Sequence, residues 1–176
     1  MPCEGPIHYR RATNDDAAGI AQVHHDGWQR AHEELVPPAY LAHKSSLGRE
    51  DFWREELELE APDRKPWVAL DDGTVIGFAD GGIARDDDLD SATGEVYTLF
   101  VTPECWEKGI RSRLVDHVAR DLRDHDFRRA VFWVLEADLV MRAFAEFTGW
   151  RADGHQREED LGGTSVIELR YAKSLV

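Results

Sequence analysis

The chain has 176 residues, of which 42% are hydrophobic and 32% are charged, and its formal net charge is -14 at pH 7. This balance fits a single globular domain over residues 1–176 rather than a disordered segment. The acidic charge argues against nucleic acid or an anionic membrane surface as a partner, because both attract basic proteins. No apolar run is long enough to span a bilayer and the N-terminus lacks the apolar core of a signal peptide, so we expect a cytoplasmic protein.

The sequence shows no metal-binding pattern. Cys3 and Cys105 are the only cysteines, too few for a disulfide scaffold and not spaced as a metal site, and the histidines form no HExxH motif. The acidic run 86–90 would need a glycine in place of Ser91 and a glutamate in place of Tyr97 to be a calcium loop. We interpret this run as a solvated hairpin tip.

Strand and helix signals alternate along the first half of the chain. A capping residue at Thr13 and a turn at Asp72-Gly73 are the clearest boundaries. The predicted elements are a strand over 7–11, a helix to about residue 30, a helical region over 37–60 broken near 45–48, a hairpin of 67–70 and 75–83, and a strand over 95–101.

The second half is predicted as helix, strand, helix and a final strand. Apolar residues at every fourth position predict a helix that packs on a sheet: Ile110, Leu114, Val118 and Leu122. Residues 129–136 read as an apolar strand covered on both faces. The next helix runs from a cap at Asp138 to Gly149 and is predicted to bury Val140, Ala143, Phe144 and Phe147. A polar loop is predicted over 154–164, before a final strand over 165–171.

The helix after Gly109 directly follows a strand and a short loop. The first N–H groups of such a helix lack partners and its dipole places positive charge there, so it is a natural seat for phosphate. A P-loop would need a second glycine and a Lys-Ser/Thr pair, and a dinucleotide site would need three spaced glycines, and neither pattern occurs. A cofactor that carries phosphate remains the first candidate.

Residues 95–150 resemble the GCN5-related N-acetyltransferase superfamily, the acetyl-CoA-dependent acyltransferases. The resemblance is carried by VTPE followed by Trp106-Glu107-Lys108-Gly109-Ile110-Arg111, by VLEADLVMRAFAEFTGW, and by the upstream phrase WQRAHEELVPPAYL. It implies an α/β (α+β) fold with a mixed, mostly antiparallel central sheet of six to seven strands flanked by about four helices. It also implies acetyl-CoA as cosubstrate, no metal, and acetyl transfer to the primary amine of a small molecule.

The chain departs from the family pattern at four positions. The signature Gln/Arg-x-x-Gly-x-Gly/Ala keeps only Gly109, since Trp106 and Arg111 replace its first and last members. Asp138 stands where the family often has asparagine, and Ala145 where many members have the tyrosine that protonates the departing thiolate. These departures leave open a degenerate member that binds CoA or another ligand without efficient transfer, and an interaction module that uses only the fold.

The resemblance assigns the cofactor site to the strand edge and the opening turn of the helix. A backbone N–H near Phe100 and Val101 would stabilise the oxyanion where the strand splays. The full set is Leu99, Phe100, Val101, Lys108, Gly109, Ile110, Arg111, Ser112 and Asp138. Arg111 would either pair with phosphate or, like Lys108, simply face solvent.

Acetyl transfer to an amine needs a proton acceptor, because an alkylammonium group has a pKa of ~10. Glu95 stands fourteen residues before Gly109, the register of the catalytic glutamate in some family members, and is the predicted base. Its alternative is an ordinary solvated strand residue. Tyr97 lies on the same strand face and is a candidate proton donor to the CoA sulfur, or a packed sheet tyrosine.

The acceptor site is predicted on the first helices. His24 and His32 share a helix face with Trp28 between them, so they would line an acceptor pocket, supply a base near neutral pH, or only pack. Trp28 and Tyr40 would shape the same pocket or belong to the core. The sequence does not name the amine, and it admits a homodimer without fixing the oligomeric state.

Overall fold

The computed structural model describes residues 3, 5–46, 49–59 and 65–176, which form one seven-stranded sheet with helices on both faces. The strands are β1 (His8–Arg11), β2 (Trp67–Asp71), β3 (Thr74–Ile83), β4 (Thr93–Val101), β5 (Arg129–Leu135), β6 (Arg151–Asp160) and β7 (Ser165–Ser174). Their order in the sheet is β1-β2-β3-β4-β5-β7-β6, and every neighbouring pair except β4 and β5 is antiparallel. The predicted mixed, mostly antiparallel sheet is confirmed.

Five α-helices lie within the described ranges. They are α1 (Ala17–His32), α2 (Pro38–Ser46), α3 (Arg49–Glu58), α4 (Ile110–Asp124) and α5 (Leu139–Phe147). The sequence predicts about four, and the additional helix arises because the helical region with a predicted break forms two separate helices. No helix in these ranges is long and apolar enough to cross a membrane.

The sheet is held between α4 on one face and α1 with α3 on the other. The predicted apolar stripe of α4 is confirmed, since its members are no more than 4% exposed: Ile110, Leu114, Val118 and Leu122. On the opposite face, Ile20 and Trp53 pack in one cluster with Phe78 of β3. Burying a side chain of this size stabilises the fold by roughly 1.5–3 kcal/mol, so both layers hold the strands in place.

The strands β4 and β5 run side by side only at their starts. Residues 93–95 pair in parallel with residues 129–131, and the described chain shows no further pair between these strands. Opposite Asp80 and Gly81 the register shifts, which leaves Tyr97 as an extra residue of β4 in a β-bulge. After its last pair with β5 at Glu95, β4 continues through residues 96–101 with β3 on one side and no described strand on the other.

The buried face of α5 differs from the predicted one. Val140 and Phe147 are 62% and 91% exposed, and Ala143 is also exposed, so the prediction that they are buried is wrong. The residues that pack against the core are Met141, Phe144 and Ala145. The predicted residues and the observed ones both have helical spacing, so periodicity alone cannot show which face is buried. The packing of α5 against the sheet decides it.

The strand β6 is the edge of the sheet and pairs with β7. The polar loop predicted over 154–164 is therefore wrong for most of its length. Nine of the ten residues of β6 are exposed, so no hydrophobic alternation marks the strand in the sequence. Charged side chains are common on edge strands because they discourage pairing with another chain.

The acidic run between β3 and β4 is anchored to β7. Arg170 is 1% exposed, and its guanidinium group donates to Asp86 at 3.0 Å, to Asp88 at 2.7 Å and to Asp153 at 2.9 Å. The prediction of a solvated tip is wrong for Asp86, whose side chain is 18% exposed, whereas Asp88 stays exposed at 47% while it pairs with Arg170. Both acids are held there because a buried guanidinium group needs carboxylate partners. Across the described residues, no cluster of side chains is suited to hold a metal ion.

Cys3 and Cys105 form a disulfide, with their Cα atoms 5.8 Å apart. The two cysteines are 102 positions apart in the sequence, so neither their number nor their spacing predicts this bond. The disulfide ties the N-terminal segment to a short 3-10 helix, Pro103–Lys108, that leads into α4.

Candidate active site

The divergence of β4 and β5 opens a cleft bordered by α1 and the start of α5. The cleft has a larger compartment of about 410 Å³ and a smaller compartment of about 300 Å³. The two adjoin each other, because five residues line both: Ala31, Leu99, Phe100, Asp138 and Met141. A cleft of this size and shape can hold an extended ligand in one part and a smaller molecule in the other.

Gly109 forms the turn between the 3-10 helix and α4. Its φ of +69° is a left-handed conformation that residues with a side chain adopt only with strain. A Cβ atom at this position would meet no atom within 4 Å, so the space in front of the turn is open. The N–H groups of the first turn of α4 have no intrahelical partners, and together with the helix dipole they are suited to bind an anion.

Arg111 is a cation in the wall of the smaller compartment. Its guanidinium carbon lies 4.4 Å from the centroid of the Trp106 ring, and the indole N–H of Trp106 donates to the carbonyl oxygen of Val101 at 2.8 Å. Burial lowers the pKa of Arg111, and the charge of Asp138 opposes this shift. Trp106 therefore supports Arg111 in the cleft wall, so that two departures from the family signature act together.

The other residues predicted to bind the cofactor lie in different environments. The side chains of Leu99 and Val101 belong to the core under α4, so these residues present their backbone groups to the cleft. The side chain of Ile110 is fully buried, and only its N–H can reach a ligand. Lys108 is exposed and Ser112 is half-buried, and neither side chain lines the cleft.

Phe100 lies on the opposite face of β4 and packs towards α1. A Cβ atom at Gly27 would come within 2.3 Å of the Phe100 ring, so glycine is required for α1 to approach β4 this closely. The same ring stacks on His24 with a centroid distance of 5.3 Å. These contacts fix the inner wall shared by the two compartments.

Asp138 sits at the junction of the two compartments and begins α5. Its Oδ1 accepts the backbone N–H of Met141 at 2.9 Å, which confirms the predicted N-cap. Capping of this kind stabilises a helix by about 1 kcal/mol. The cap places the start of α5 beside the cleft.

Glu95 does not line either compartment. It is 2% exposed, and Arg85 binds both of its oxygens: Oε1 accepts from Nη2 at 2.6 Å, and Oε2 accepts from Nε at 3.2 Å and from the backbone N–H at 3.0 Å. The alternative of a solvated strand residue is wrong, because the carboxylate is buried.

Tyr97 lines the larger compartment. Its hydroxyl group donates to the carbonyl oxygen of Ile83 at 2.6 Å, and the guanidinium carbon of Arg85 lies 4.1 Å from the centroid of its ring. Arg85 therefore contacts both Glu95 and Tyr97, in agreement with the shared strand face. To protonate a thiolate, the Tyr97 hydroxyl group would first have to leave the Ile83 carbonyl.

His24 lines the larger compartment within a cluster of aromatic rings. The indole N–H of Trp53 donates to its Nδ1 at 3.1 Å, so the proton of the neutral ring is on Nε2. Burial lowers the pKa of His24 to about 3, and the charge of Arg49 acts in the same direction. His24 is therefore neutral at pH 7 with its lone pair engaged by Trp53, which suits a wall residue.

His32 has the opposite arrangement of its ring nitrogens. Its Nδ1 lies 2.8 Å from the carbonyl oxygen of Trp28, and because a carbonyl only accepts, Nδ1 carries the proton and Nε2 the lone pair. Burial lowers the pKa of His32, while the Trp28 carbonyl and the carboxylates of Glu168 and Glu159 oppose this shift. The result is a neutral imidazole in the wall of the larger compartment whose Nε2 can accept a proton.

Trp28 and Tyr40 also lie in the wall of the larger compartment. The ring of Trp28 stacks on His32 with a centroid distance of 4.3 Å. Tyr40 packs over Gly162 in the turn between β6 and β7, where a Cβ atom would come within 2.5 Å of its ring. This contact between α2 and the β6–β7 turn closes one side of the compartment.

Three charged residues of the larger compartment were not found by sequence reasoning: Arg49, Glu159 and Glu168. Glu168 forms an ion pair with Arg157 at 2.6 Å. The two glutamates belong to β6 and β7. The sequence predicts a loop in place of most of β6, so it does not predict that these glutamates both line the compartment. Arg49 belongs to no motif, and its only signal is a cation at the start of a helix, where the dipole disfavours positive charge.

Two parallel strands diverge here beside a glycine turn at the start of a helix. This arrangement is expected of an acyl-CoA-dependent N-acetyltransferase, and comparison with known proteins agrees. Residues 13–150 match the Acetyltransferase (GNAT) family. The chain is also 30% identical over 128 residues to the uncharacterized N-acetyltransferase YuaI of Bacillus subtilis (strain 168), which covers 72% of this chain and 70% of that protein.

Solved structures share the fold at lower identity. The PaiA N-acetyltransferase from Thermoplasma acidophilum, in complex with coenzyme A, has a TM-score of 0.75 at 17% identity and covers 97% of this chain and 99% of that chain. An N-acetyltransferase from Staphylococcus aureus Mu50 has a TM-score of 0.76 at 17% identity and covers 98% and 100%. The chain belongs to the Acetyltransferase (GNAT) family.

Proposed function

We propose that the protein transfers the acetyl group of acetyl-CoA to the primary amine of a small molecule, by direct attack of the amine on the thioester. The observation that carries this proposal is the pair of adjoining compartments. The smaller one is lined by Trp106 and Arg111 near the Gly109 turn, and both are lined by residues of β4 where β5 has diverged from it. Bringing the two reactants together in one such cleft is itself a large part of catalysis.

The residues around the smaller compartment fit a cofactor that carries phosphate. The open space at Gly109, the free N–H groups of the first turn of α4 and the guanidinium group of Arg111 together offer backbone donors and one charge. The PaiA structure with bound coenzyme A supports CoA as the ligand class. Acetyl-CoA bound there supplies an activated acyl group, and the backbone of residues 99–101 would orient it.

Negative charge develops on the thioester oxygen as the amine attacks. We assign its stabilisation to a backbone N–H near Phe100 and Val101, on the edge of β4 that β5 leaves open. Such a donor lowers the barrier by roughly 3 kcal/mol. This role depends on the divergence of the strands and not on the side chains at these positions.

Two groups compete for the role of proton acceptor. Glu95 is bound by Arg85 and lies outside both compartments, whereas His32 lines the larger one and its Nε2 is unprotonated when Nδ1 donates to Trp28. We therefore propose His32 as the group that takes the proton from the attacking amine. The prediction for Glu95 stands beside it and is tested with the same assay.

The departing thiolate has no phenol at the family position, because α5 carries Ala145 there, and this alanine is fully buried. The thiol of CoA has a pKa near ~8.5, so a thiolate can leave with only water as the proton source. Tyr97 is the proposed alternative donor, since it lines the larger compartment and its hydroxyl group would donate once it leaves the Ile83 carbonyl. Replacing Tyr97 by phenylalanine tests this role.

The proposal is tested by measuring cofactor binding and turnover separately. A thermal shift with acetyl-CoA detects binding, because a ligand of the native state raises its stability. Release of free CoA thiol across a panel of amines then detects transfer. Binding without thiol release would support the degenerate member of the family, and the absence of any shift would support an interaction module.

We also propose a cytoplasmic protein that acts without a metal, with the monomer and the homodimer both left open. Treatment with EDTA should leave thiol release unchanged if no metal takes part. Multi-angle light scattering of the purified chain measures the oligomeric state directly.

A further inference from the structure

Arg49 is a cation in the wall of the larger compartment, and it forms no ion pair with a carboxylate of the described residues. Its guanidinium carbon lies 5.6 Å from the centroid of the Trp28 ring, next to the stacked pair of Trp28 and His32. The Nε atom of Arg49 is buried and has no hydrogen-bond partner. No ion pair or hydrogen bond connects this guanidinium group to any carboxylate among the described residues.

Among the described arginines, Arg49 is the one with a buried guanidinium nitrogen that has no hydrogen-bond partner. The two acidic residues that follow Arg49 in α3, Glu50 and Asp51, pair instead with Arg54. Burial lowers the pKa of Arg49, yet a guanidinium group stays charged at neutral pH, so its donors are only partly satisfied.

The stability of the fold does not account for this arginine. It is the first residue of α3, where the helix dipole disfavours a cation by about 0.3–1 kcal/mol. A partly buried charge without a partner also destabilises a fold. A group that is unfavourable in the unliganded protein and lies in a cavity is a candidate for ligand recognition.

We propose that the amine acceptor carries an oxyanion group, such as a carboxylate or a phosphonate, and that Arg49 binds it. The planar fork of a guanidinium group matches two oxygens of such a group. This inference rests on the proposed acetyltransferase function and names the class of its acceptor. Arg49 lines the larger compartment and not the smaller one, so it is assigned to the acceptor rather than to the phosphates of CoA.

The other end of the acceptor fits the remaining charges of the compartment. Glu159 and Glu168 line it and raise the pKa of His32, whereas Arg49 lowers it, so His32 lies within reach of both signs of charge. An ammonium group would be drawn to the carboxylates and an oxyanion to Arg49. A zwitterionic amine would be oriented by both, with its nitrogen near the proton acceptor.

The test compares matched amines, each amino acid or aminophosphonate against the amine that lacks the acidic group. For Arg49→Gln we expect kcat/KM to fall by roughly 10- to 100-fold for the acidic member, the range of a hydrogen bond to a charged group. For the member without the acidic group we expect less than a threefold change. Arg49→Lys, which keeps the charge without the fork, should lie between wild type and Arg49→Gln.

Two controls separate recognition from folding and from CoA binding. Arg54→Gln removes a half-exposed arginine of the same helix that has acidic partners, and it should leave kcat/KM unchanged for both amines. The affinity of all variants for acetyl-CoA should equal that of the wild type.

The outcomes distinguish this inference from the function on which it rests. Two results would overturn the role of Arg49 and leave the acetyltransferase function standing. One is thiol release that is equal or greater with the amines lacking an acidic group. The other is a loss of kcat/KM in Arg49→Gln that is the same for both members of a pair. No thiol release with any amine, despite binding of acetyl-CoA, overturns the proposed acetyltransferase function itself.

Discussion

Arg85 donates hydrogen bonds to the carboxylate of Glu95 from its guanidinium group and from its own backbone N–H. The side chain of Arg85 is 58% exposed and that of Glu95 is 3% exposed, so the pair joins the loop after β3 to the buried start of β4. This is the point at which β4 last pairs with β5 before the two strands diverge. The pair therefore holds the strand at the entrance of the cleft.

Replacement of Glu95 by glutamine should reduce stability more than catalysis. The substitution removes a charged hydrogen bond, which we expect to lower the free energy of unfolding by roughly 1–3 kcal/mol. Arg85→Gln is the matched control and should destabilise at least as much, because it leaves a buried carboxylate unpaired. Urea denaturation and kcat are measured on both. A loss of kcat of about 100-fold or more in folded Glu95→Gln, but not in Arg85→Gln, would identify Glu95 as the base.

Replacement of His32 by glutamine should reduce kcat by roughly 10²- to 10⁴-fold, the usual contribution of general base catalysis. Binding of acetyl-CoA, measured by calorimetry, should not change. His125→Gln is a matched control, because Nδ1 of His125 also contacts a carbonyl four residues earlier, that of Asp121 at 2.8 Å, but on the exposed end of α4. Equal kcat in both variants would remove His32 from the mechanism.

The pH dependence of kcat should show an acid limb and no change near neutrality. Burial holds the pKa of His32 below its ordinary value of 6.5, with Arg49 adding to the shift and Glu168 and Glu159 opposing it. Only the neutral ring accepts a proton, so kcat should be constant above pH 6.5 and fall as the pH drops through the lowered pKa. The acid limb should be lost in His32→Gln. An unchanged acid limb in that variant would show that another group titrates.

Replacement of Gly109 by alanine should weaken the binding of CoA. Gly73 in the hairpin turn is a matched control, since it also has positive φ, +79° against +69°, and no atom within 4 Å of a built Cβ. Alanine in this conformation should destabilise both variants by about 1–2 kcal/mol. Calorimetry should show at least a tenfold lower affinity for CoA in Gly109→Ala only. The same affinity in both variants would place the pyrophosphate elsewhere.

The disulfide should be measurable as a thiol count. Denatured protein prepared without reductant should show no free thiol, and reduced protein should show two, because Cys3 and Cys105 are paired. Reduction should lower the free energy of unfolding by up to about 4–5 kcal/mol, the value for a closed loop of this length. The double variant with serine at both positions should not respond to reductant. Two thiols in freshly lysed protein would instead fit a reducing cytoplasm.

Much of the fold could be read from the sequence, and the exceptions have physical causes. The apolar stripe of α4 is confirmed, because four buried residues spaced by one helical turn define a single face. The predicted buried face of α5 is wrong. Val140 and Phe147 extend the apolar residues around the helix, so two apolar faces with the same periodicity compete for the buried position. The strand β6 was missed, because an exposed edge strand has no apolar alternation to reveal it.

The candidate site divides in the same way. The Gly109 turn and the Asp138 cap could be located, since a left-handed turn and a capped helix are properties of a few consecutive residues. The roles of the histidines could not, since His24 and His32 look alike in the sequence. Their difference comes from the partner of Nδ1, which is Trp53 of another helix for His24 and the Trp28 carbonyl for His32.

The sequence by itself determined the order of the elements, the amphipathic helix α4, the glycine turn that opens it and the resemblance to an acetyltransferase family. These follow from periodicity and backbone preference, which act over one or two turns of chain. Only the tertiary structure decided that Arg85 binds the carboxylate of Glu95 and that Arg170 binds Asp86, 84 positions away in the sequence. It also decided that Arg49 lines the cleft without a carboxylate partner among the described residues. Hydrogen bonds and burial are set by which distant segments meet, and no local pattern records that.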